Sequence, residues 1–391
     1  MPENPAHGPQ RQLEIFVAGL AGRKPSLPVA FEELEGKARQ VMAPDAFGYV
    51  WASAGAGHTH RANLAAFQRW RIQPRFLREV SRRRLEVRVL GCGFPAPFLI
   101  SPVGVQGLLH PDGELATARA ARKLGLPMVL STVSSQPMER IAQALGDSPR
   151  WFQIYWPRDL ELAASFAKRA AAIGCSAIVV TLDCACMGWR EIDLQNGFNP
   201  FVRGQGLGNY FTDPHFRRQL KVMPEVDPTE AIRHWIEVTG SPVFTWADLA
   251  HLQRMTELPI VLKGILHPDD ATEAVRQGVA GIIVSNHGGR QLDGAVAALD
   301  VLPAIVDAVG GRVEVLFDSG IRRGADVFKA LALGARAVLV ARPWCYGLGL
   351  AGEEGVVEVL TNLRADFDLT MALAGCAGVD ELTRDYLVET H

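Results

Sequence analysis

Eight short apolar runs, each closed by a polar or charged residue, constrain this chain more than any other feature. They are Phe98–Ile100, Met128–Leu130, Trp151–Ile154, Ala177–Leu182, Ile260–Leu262, Gly281–Val284, Val313–Phe317 and Ala337–Val340. Each is apolar at consecutive rather than alternate positions, as strands buried on both faces must be. Helix-like stretches follow most of them, for example Glu114–Leu124, Leu160–Ile173, Pro268–Gln277 and Gly324–Leu333. Repeated βα units imply a parallel sheet, and eight of them close naturally into an α/β (β/α)8 TIM barrel. One gap is different. About 75 residues lie between Asp183 and Pro259, so a long insertion, about 184–258, is expected after strand four as a lid or binding loop. Upstream, residues 30–90 read as helical and basic, with apolar residues at helical spacing through Phe31 to Val41 and Ala46 to Trp51. The expected organisation is an N-terminal helical extension, 1–90, packed on a barrel, 91–391.

Composition removes several function classes. Hydrophobic residues make up 48% of 391, enough for a sizeable core. Lys+Arg is 40 against Asp+Glu 42, so bulk charge gives no reason to bind nucleic acid or an anionic membrane. No apolar run reaches the roughly 18 residues needed to span a bilayer. The start of the chain lacks an export pattern, and the six cysteines read as reduced thiols, so a cytoplasmic location is expected.

The strand ends carry the chemistry. In a barrel they all point into one mouth. Here they are Ser101, Ser131, Gln153 with Tyr155, Thr181 with Asp183, Lys263, Asn286 with His287, Asp318, and Arg342. Turn chemistry alone explains any one polar strand end, but explains poorly eight out of eight with Lys, His, Asp and Arg among them. After strand six, Ser285 to Asp293 places His287 and Arg290 three residues apart on a glycine-rich turn. Histidine is the natural base near neutral pH. Arginine offers a planar fork to a carboxylate. Asp183 after strand four can orient that histidine, and Arg190 is a candidate second carboxylate contact. The loops at Asp318–Gly324 and Ala341–Pro343 follow strands seven and eight, where barrels often hold a phosphate. Lys263 needs an anionic partner or a role: a Schiff base, a phosphate contact, or support of an anionic cofactor ring.

Other signals are weaker. Cys184-x-Cys186 and His58-x-His60 lack a second ligand pair, so no metal is expected. Arg82-Arg83-Arg84 reads as a solvated face or subunit contact. Gly204-x-Gly206-x-Gly208 has no preceding strand, as a dinucleotide fingerprint requires.

At these residues the sequence resembles the FMN-dependent α-hydroxy acid oxidases and dehydrogenases. The segment SNHGGRQLDG at 285–294 is specific for that family, and PVG at 102–104, FQIY at 152–155, TLD at 181–183, LKG at 262–264, FDSGIRRG at 317–324 and ARP at 341–343 extend it over about residues 30–385. GLGNYFTDPHF at 206–216 and GYV…HTHRAN at 48–63 look most like its lactate 2-monooxygenase branch. The resemblance implies FMN as cofactor, and a 2-hydroxy acid and oxygen as partners. It implies that His287 takes the hydroxyl proton with Asp183 paired to it. Arg290 and Arg190 grip the substrate carboxylate, with Tyr49 and Tyr155 completing the pocket. Lys263 sits beside the flavin. Pro102, Val103, Gly104, Ser131, Gln153, Thr181 and Ser285 surround the isoalloxazine, and Asp318, Gly320, Arg322, Ala341 and Arg342 hold the ribityl chain and phosphate. The implied assembly is a homotetramer or homo-octamer. The branch implies that the keto acid is retained and oxidatively decarboxylated. The alternatives are an oxidase or dehydrogenase that releases the keto acid, a flavin barrel of the isopentenyl-diphosphate isomerase type, and a degenerate flavin-binding barrel without activity. The turn Trp51–Gly57 lacks the family's acidic residue, Cys184 stands where threonine is usual, Ala341 where glycine is usual, and Val133 where glycolate oxidases carry tryptophan.

Overall fold

The computed structural model describes residues 7–239 and 244–390. All eight expected runs become strands: β1 Phe98–Ile100, β2 Met128–Leu130, β3 Arg150–Ile154, β4 Ile178–Thr181, β5 Ile260–Ile265, β6 Gly281–Val284, β7 Glu314–Phe317 and β8 Val338–Val340. They pair in parallel and in sequence order, and β8 pairs β1 to close the barrel. Both faces of these strands are apolar for different reasons. Leu99, Val129, Trp151, Val179, Val261, Ile283, Leu316 and Leu339 supply one interior residue per strand and form a cluster of their own. Their neighbours, such as Phe98, Ile100, Leu130, Phe152, Val180 and Leu262, pack outward on the helices. Continuous apolar runs are the trace of that two-sided burial. Below the interior layer, the antiparallel hairpin Val87–Val89/Cys92–Phe94 plugs the barrel, with the Phe94 ring tilted against Trp151 at 6.3 Å between centroids.

The N-terminal region is helical only in part. Helices Phe31–Val41, Pro44–Trp51 and His58–Arg69 cover the side of the mouth. From Trp70 the helical reading of 30–90 is corrected. Trp70–Ile72 is a strand, paired antiparallel with Leu387–Glu389, and the chain beyond it is irregular until the hairpin. Pro74 and the left-handed Leu77 (φ 58) prevent a helix there. The boundary expected at 90/91 falls at the hairpin's turn. The arginine run also differs from expectation. Arg83 is buried in a two-pronged ion pair with Asp368 of the C-terminal helix Arg342–Ala374 (2.6 and 2.8 Å), so only part of the run faces solvent.

The insertion folds as short helices up to Val238, and helix Trp246–Met255 then returns the chain to β5. Its residues 240–243 lie outside the described residues, as do 1–6 of the polar start. No helix among the described residues is long and apolar enough to cross a membrane.

Candidate active site

The strand ends open into one cavity of about 330 Å³. Of the residues expected there, Tyr49, Pro102, Val103, Gly104, Gln153, Tyr155, Thr181, Arg190, Lys263, His287, Arg290, Asp318, Gly320, Arg322, Ala341 and Arg342 line it. Ser131 and Ser285 lie one layer beneath. The Ser131 hydroxyl donates to Gln153 Oε1 (3.4 Å). Ser285 Oγ accepts from Lys263 Nζ (2.7 Å) and from the backbone N–H of His287 (3.1 Å).

His287 sits on three successive left-handed residues, His287 (φ 57), Gly288 (φ 65) and Gly289 (φ 78). Only the last two are glycines, so His287 holds a conformation that costs a side-chain-bearing residue about 1 kcal/mol or more. A Cβ on Gly289 would fall 2.6 Å from the backbone nitrogen of His60, so glycine is required. The turn is held from below: Ser319 Oγ accepts from Asn286 N (3.2 Å) and Gly288 N (3.0 Å) and donates to Asp318 (2.9 Å). It is held from the side by two buried amides, Asn63 and Asn286, which exchange reciprocal bonds of 2.8 Å.

His287 Nδ1 donates to Asp183 Oδ1 at 2.9 Å, which leaves Nε2 with the free lone pair. Burial lowers the His287 pKa, and Asp183 only partly offsets it, so the ring rests neutral. Burial acts to raise the Asp183 carboxyl, but His287 and Lys263 outweigh it and hold it below its usual value. Lys263 is buried and pairs with Asp318 at 2.9 Å; Asp318 and Asp183 outweigh its desolvation and keep it charged. Burial pushes both tyrosine hydroxyls, Tyr49 and Tyr155, upward, so they stay protonated.

The arginines are the unbalanced part. Burial, with Arg190 and Arg342 nearby, pushes Arg290 down to about 9, and burial with Arg342 pushes Arg322 down to about 10. Among the described residues neither has an acidic partner within ion-pair distance. Arg290 donates to Ala52 O (2.7 Å), and its guanidinium lies 5.4 Å from the Tyr49 ring centroid. Arg342 reaches Val50 O (3.1 Å), Gly288 O (3.1 Å) and Ala52 O (3.3 Å). Both arginines thus cap the carbonyl end of helix Pro44–Trp51, a favourable place for cations. Such a basin of buried positive charge calls for anions.

Several contributors, including Cys184, which the sequence marked only as a departure and an incomplete ligand pair, were given no role by the sequence. Gln291 binds Arg190 NH2 (2.7 Å) through its oxygen and the carbonyls of Asp183 (2.9 Å) and Cys186 (3.0 Å) through its nitrogen. Cys184 Sγ lies 3.5 Å from both Asp183 Oδ1 and His287 Nδ1. Asn63 stands 223 positions from Asn286, beyond the reach of any local pattern.

The family described as FMN-dependent dehydrogenase matches residues 38–389. The chain belongs to this family. It is 42% identical over 376 residues to an L-lactate oxidase of Lysinibacillus sphaericus, covering 96% of each chain. It is 41% identical over 355 residues to human 2-hydroxyacid oxidase 1, covering 90% of this chain and 94% of that one. A mandelate oxidase crystal structure superposes with a TM-score of 0.81 at 39% identity, covering 92% and 98%. This member of the FMN-dependent dehydrogenases is therefore an FMN-dependent oxidoreductase acting on the CH–OH group of 2-hydroxy acids. The cavity fits such a cofactor. Gln153 Nε2 and Arg322 Nε are buried without a partner among the described residues and so await an acceptor. A Cβ on Gly104 would fall 2.5 Å from Val133 Cγ2, so the wall that would flank a planar ring is packed to its limit.

Proposed function

We propose that this chain oxidises an L-2-hydroxy acid to the 2-keto acid with oxygen as the electron acceptor. The observation that carries the reading is the neutral, Asp183-clamped His287 in one cavity with Arg190 and Arg290, which have no acidic partner within ion-pair distance among the described residues. The two guanidiniums take the substrate carboxylate, and that anion supplies the charge the cavity lacks. Tyr49 and Tyr155, both protonated, donate to substrate oxygens. His287 Nε2 then removes the hydroxyl proton. Asp183 fixes the tautomer and stabilises the imidazolium that forms. FMN would supply the two-electron acceptor for the α-hydrogen, with oxygen as the final acceptor. Lys263 would place positive charge beside its ring, Gln153 and the Pro102–Gly104 backbone would flank it, and Arg322 with Arg342 would take the phosphate. Arg342 uses three of its five N–H donors on the carbonyls of Val50, Gly288 and Ala52, which leaves two for an anion.

The balanced outcome is 2-keto acid plus hydrogen peroxide. A second reading has the keto acid retained until peroxide converts it to the shortened acid, carbon dioxide and water, as the monooxygenase branch does. Its support is that the insertion walls one side of the cavity and that its 206–211 stretch is bolted to the barrel by Asn209, which donates to Ser131 O and Thr132 O (both 3.0 Å). Product analysis with L-lactate under air separates the two. Stoichiometric pyruvate and peroxide support release, acetate and carbon dioxide support retention, and no consumption of any 2-hydroxy acid overturns both. The same reading includes a cytoplasmic location and self-association as a homotetramer or homo-octamer. The exposed apolar stripe Leu13, Phe16, Val17 and Leu20 on helix His7–Leu20 supports the latter.

A further inference from the structure

The cavity does not stop at the groups suited to a carboxylate and a flavin. It continues past Val133 into a recess walled by Phe201, Tyr210 and Trp235, with Met187 and Thr239 at its rim. Apart from Val133, all of these belong to the insertion after β4. The recess is built by specific backbone geometry. Gly204 and Gly206 adopt φ 73 and 75, and a Cβ on Gly206 would fall 2.6 Å from Val105 Cγ2 and 3.0 Å from Val133 O. Gly206 lets the chain lie directly on the loops that follow β1 and β2, while Gly204 makes room for Ile232 within the insertion. Phe201 lies 5.2 Å from Trp235, Trp235 6.2 Å edge-on to Tyr210, and Tyr210 5.1 Å edge-on to Phe166 of a barrel helix. One end of the aromatic wall is thus rooted in the core, and the other faces the cavity. Phe201 and Trp235 remain only half-buried, so they keep apolar area that a ligand can cover.

We propose that this recess is the side-chain subsite and that it selects L-2-hydroxy acids with an extended apolar side chain, medium alkyl or arylalkyl, over L-lactate. The proposal rests on the 2-hydroxy acid reading above. The carboxylate is fixed by Arg190 and Arg290 and the reacting carbon by His287, so only the side chain is free to reach past Val133. A methyl group leaves the aromatic wall wet; a longer chain displaces that water. Each methylene buried there strengthens binding by about fourfold, until the recess is full.

The test uses the FMN-loaded protein. Anaerobic flavin reduction is followed with L-lactate, L-2-hydroxybutanoate, L-2-hydroxyhexanoate, L-2-hydroxyoctanoate and L-3-phenyllactate. Binding of the matching 2-keto acids is read separately from the flavin absorbance. The expected result is a Kd that falls with side-chain length, and a hexanoate-to-lactate ratio of kcat/KM that drops about tenfold in Trp235→Ala. Because Trp235→Ala can loosen the insertion as a whole, Val133→Trp provides a second route: it fills the recess from the barrel side and should depress the same ratio. Affinity that is flat or falls with length, or a ratio unchanged in both variants, overturns the subsite while leaving hydroxy acid oxidation in place. Flavin that no member of the series reduces overturns the parent reading and the subsite with it.

Discussion

On the side of the mouth built by β5, β6 and β7, polar side chains satisfy one another. Lys263 binds Asp318 and Ser285, Ser319 binds two backbone amides of the His287 turn, and Asn286 is clasped by Asn63. On the side built by the insertion, the surface turned to the cavity is aromatic edges and a glycine turn, polar anchors such as Asn209 lie beneath it, and Met187, Trp189, Leu194 and Val202 stand exposed. The first side cannot change one group without orphaning another; the second can be resurfaced piecemeal. The reaction is therefore fixed where polar groups are interlocked, and the choice of substrate lies where they are not.

The sharpest way to break that contrast is at the base. His287→Gln should keep FMN and still bind a carboxylate inhibitor, yet lose flavin reduction by about 10²–10⁴-fold. Because burial lowers the His287 pKa, the neutral base persists below pH 6.5, and the acid limb of kcat/KM should lie below that value. Near-normal reduction in the variant, or an acid limb above 6.5, would place the base elsewhere. A smaller effect is expected at the ion pair. Lys263→Met strands the Asp318 carboxylate in a buried site and should cost about 3–5 kcal/mol in urea unfolding, along with FMN retention. Trp189→Ala, across the mouth, should cost less than about 0.5 kcal/mol. Equal losses would erase the distinction between the two sides. The smallest effect is expected at Ala341. Its φ of −125 lies outside the left-handed region that favours glycine, so restoring glycine should move the FMN Kd by less than about threefold in a fluorescence titration. A tenfold gain would mean that the methyl crowds the phosphate loop after all.

Most of the barrel was legible because a strand buried on two faces leaves an unbroken apolar run, and polar residues at its end stand out against it. The helices Phe31–Val41 and Pro44–Trp51 were legible for a related reason, their single buried face. Residues 70–94 were not. Short strands and a left-handed Leu77 carry no periodicity, and the burial of Arg83 depends on Asp368, 285 positions away. In the site, residue types with distinctive chemistry announced themselves: His287, Asp183, Lys263 and the arginines. The residues that fix them, Asn63, Gln291 and Ser319, are ordinary polar side chains whose roles exist only after the chain is folded. The layer beneath the cavity follows the same rule. Ser131 and Ser285 belong to the right motifs, but only register decides that they support the lining residues.

The ladder between Trp70–Ile72 and Leu387–Glu389 has a consequence in time. Thr390 donates its hydroxyl to Arg69 O across a sequence separation of 321 residues, at the very end of the helix that carries Asn63. Closing so long a loop is entropically among the last steps a chain can complete, and folds rich in such pairings assemble slowly. The barrel strands pair mostly with their neighbours in sequence and can zip early. The clasp on the His287 turn joins Asn63 to Asn286 across 223 positions, so it too is expected to form after neighbouring barrel strands have paired.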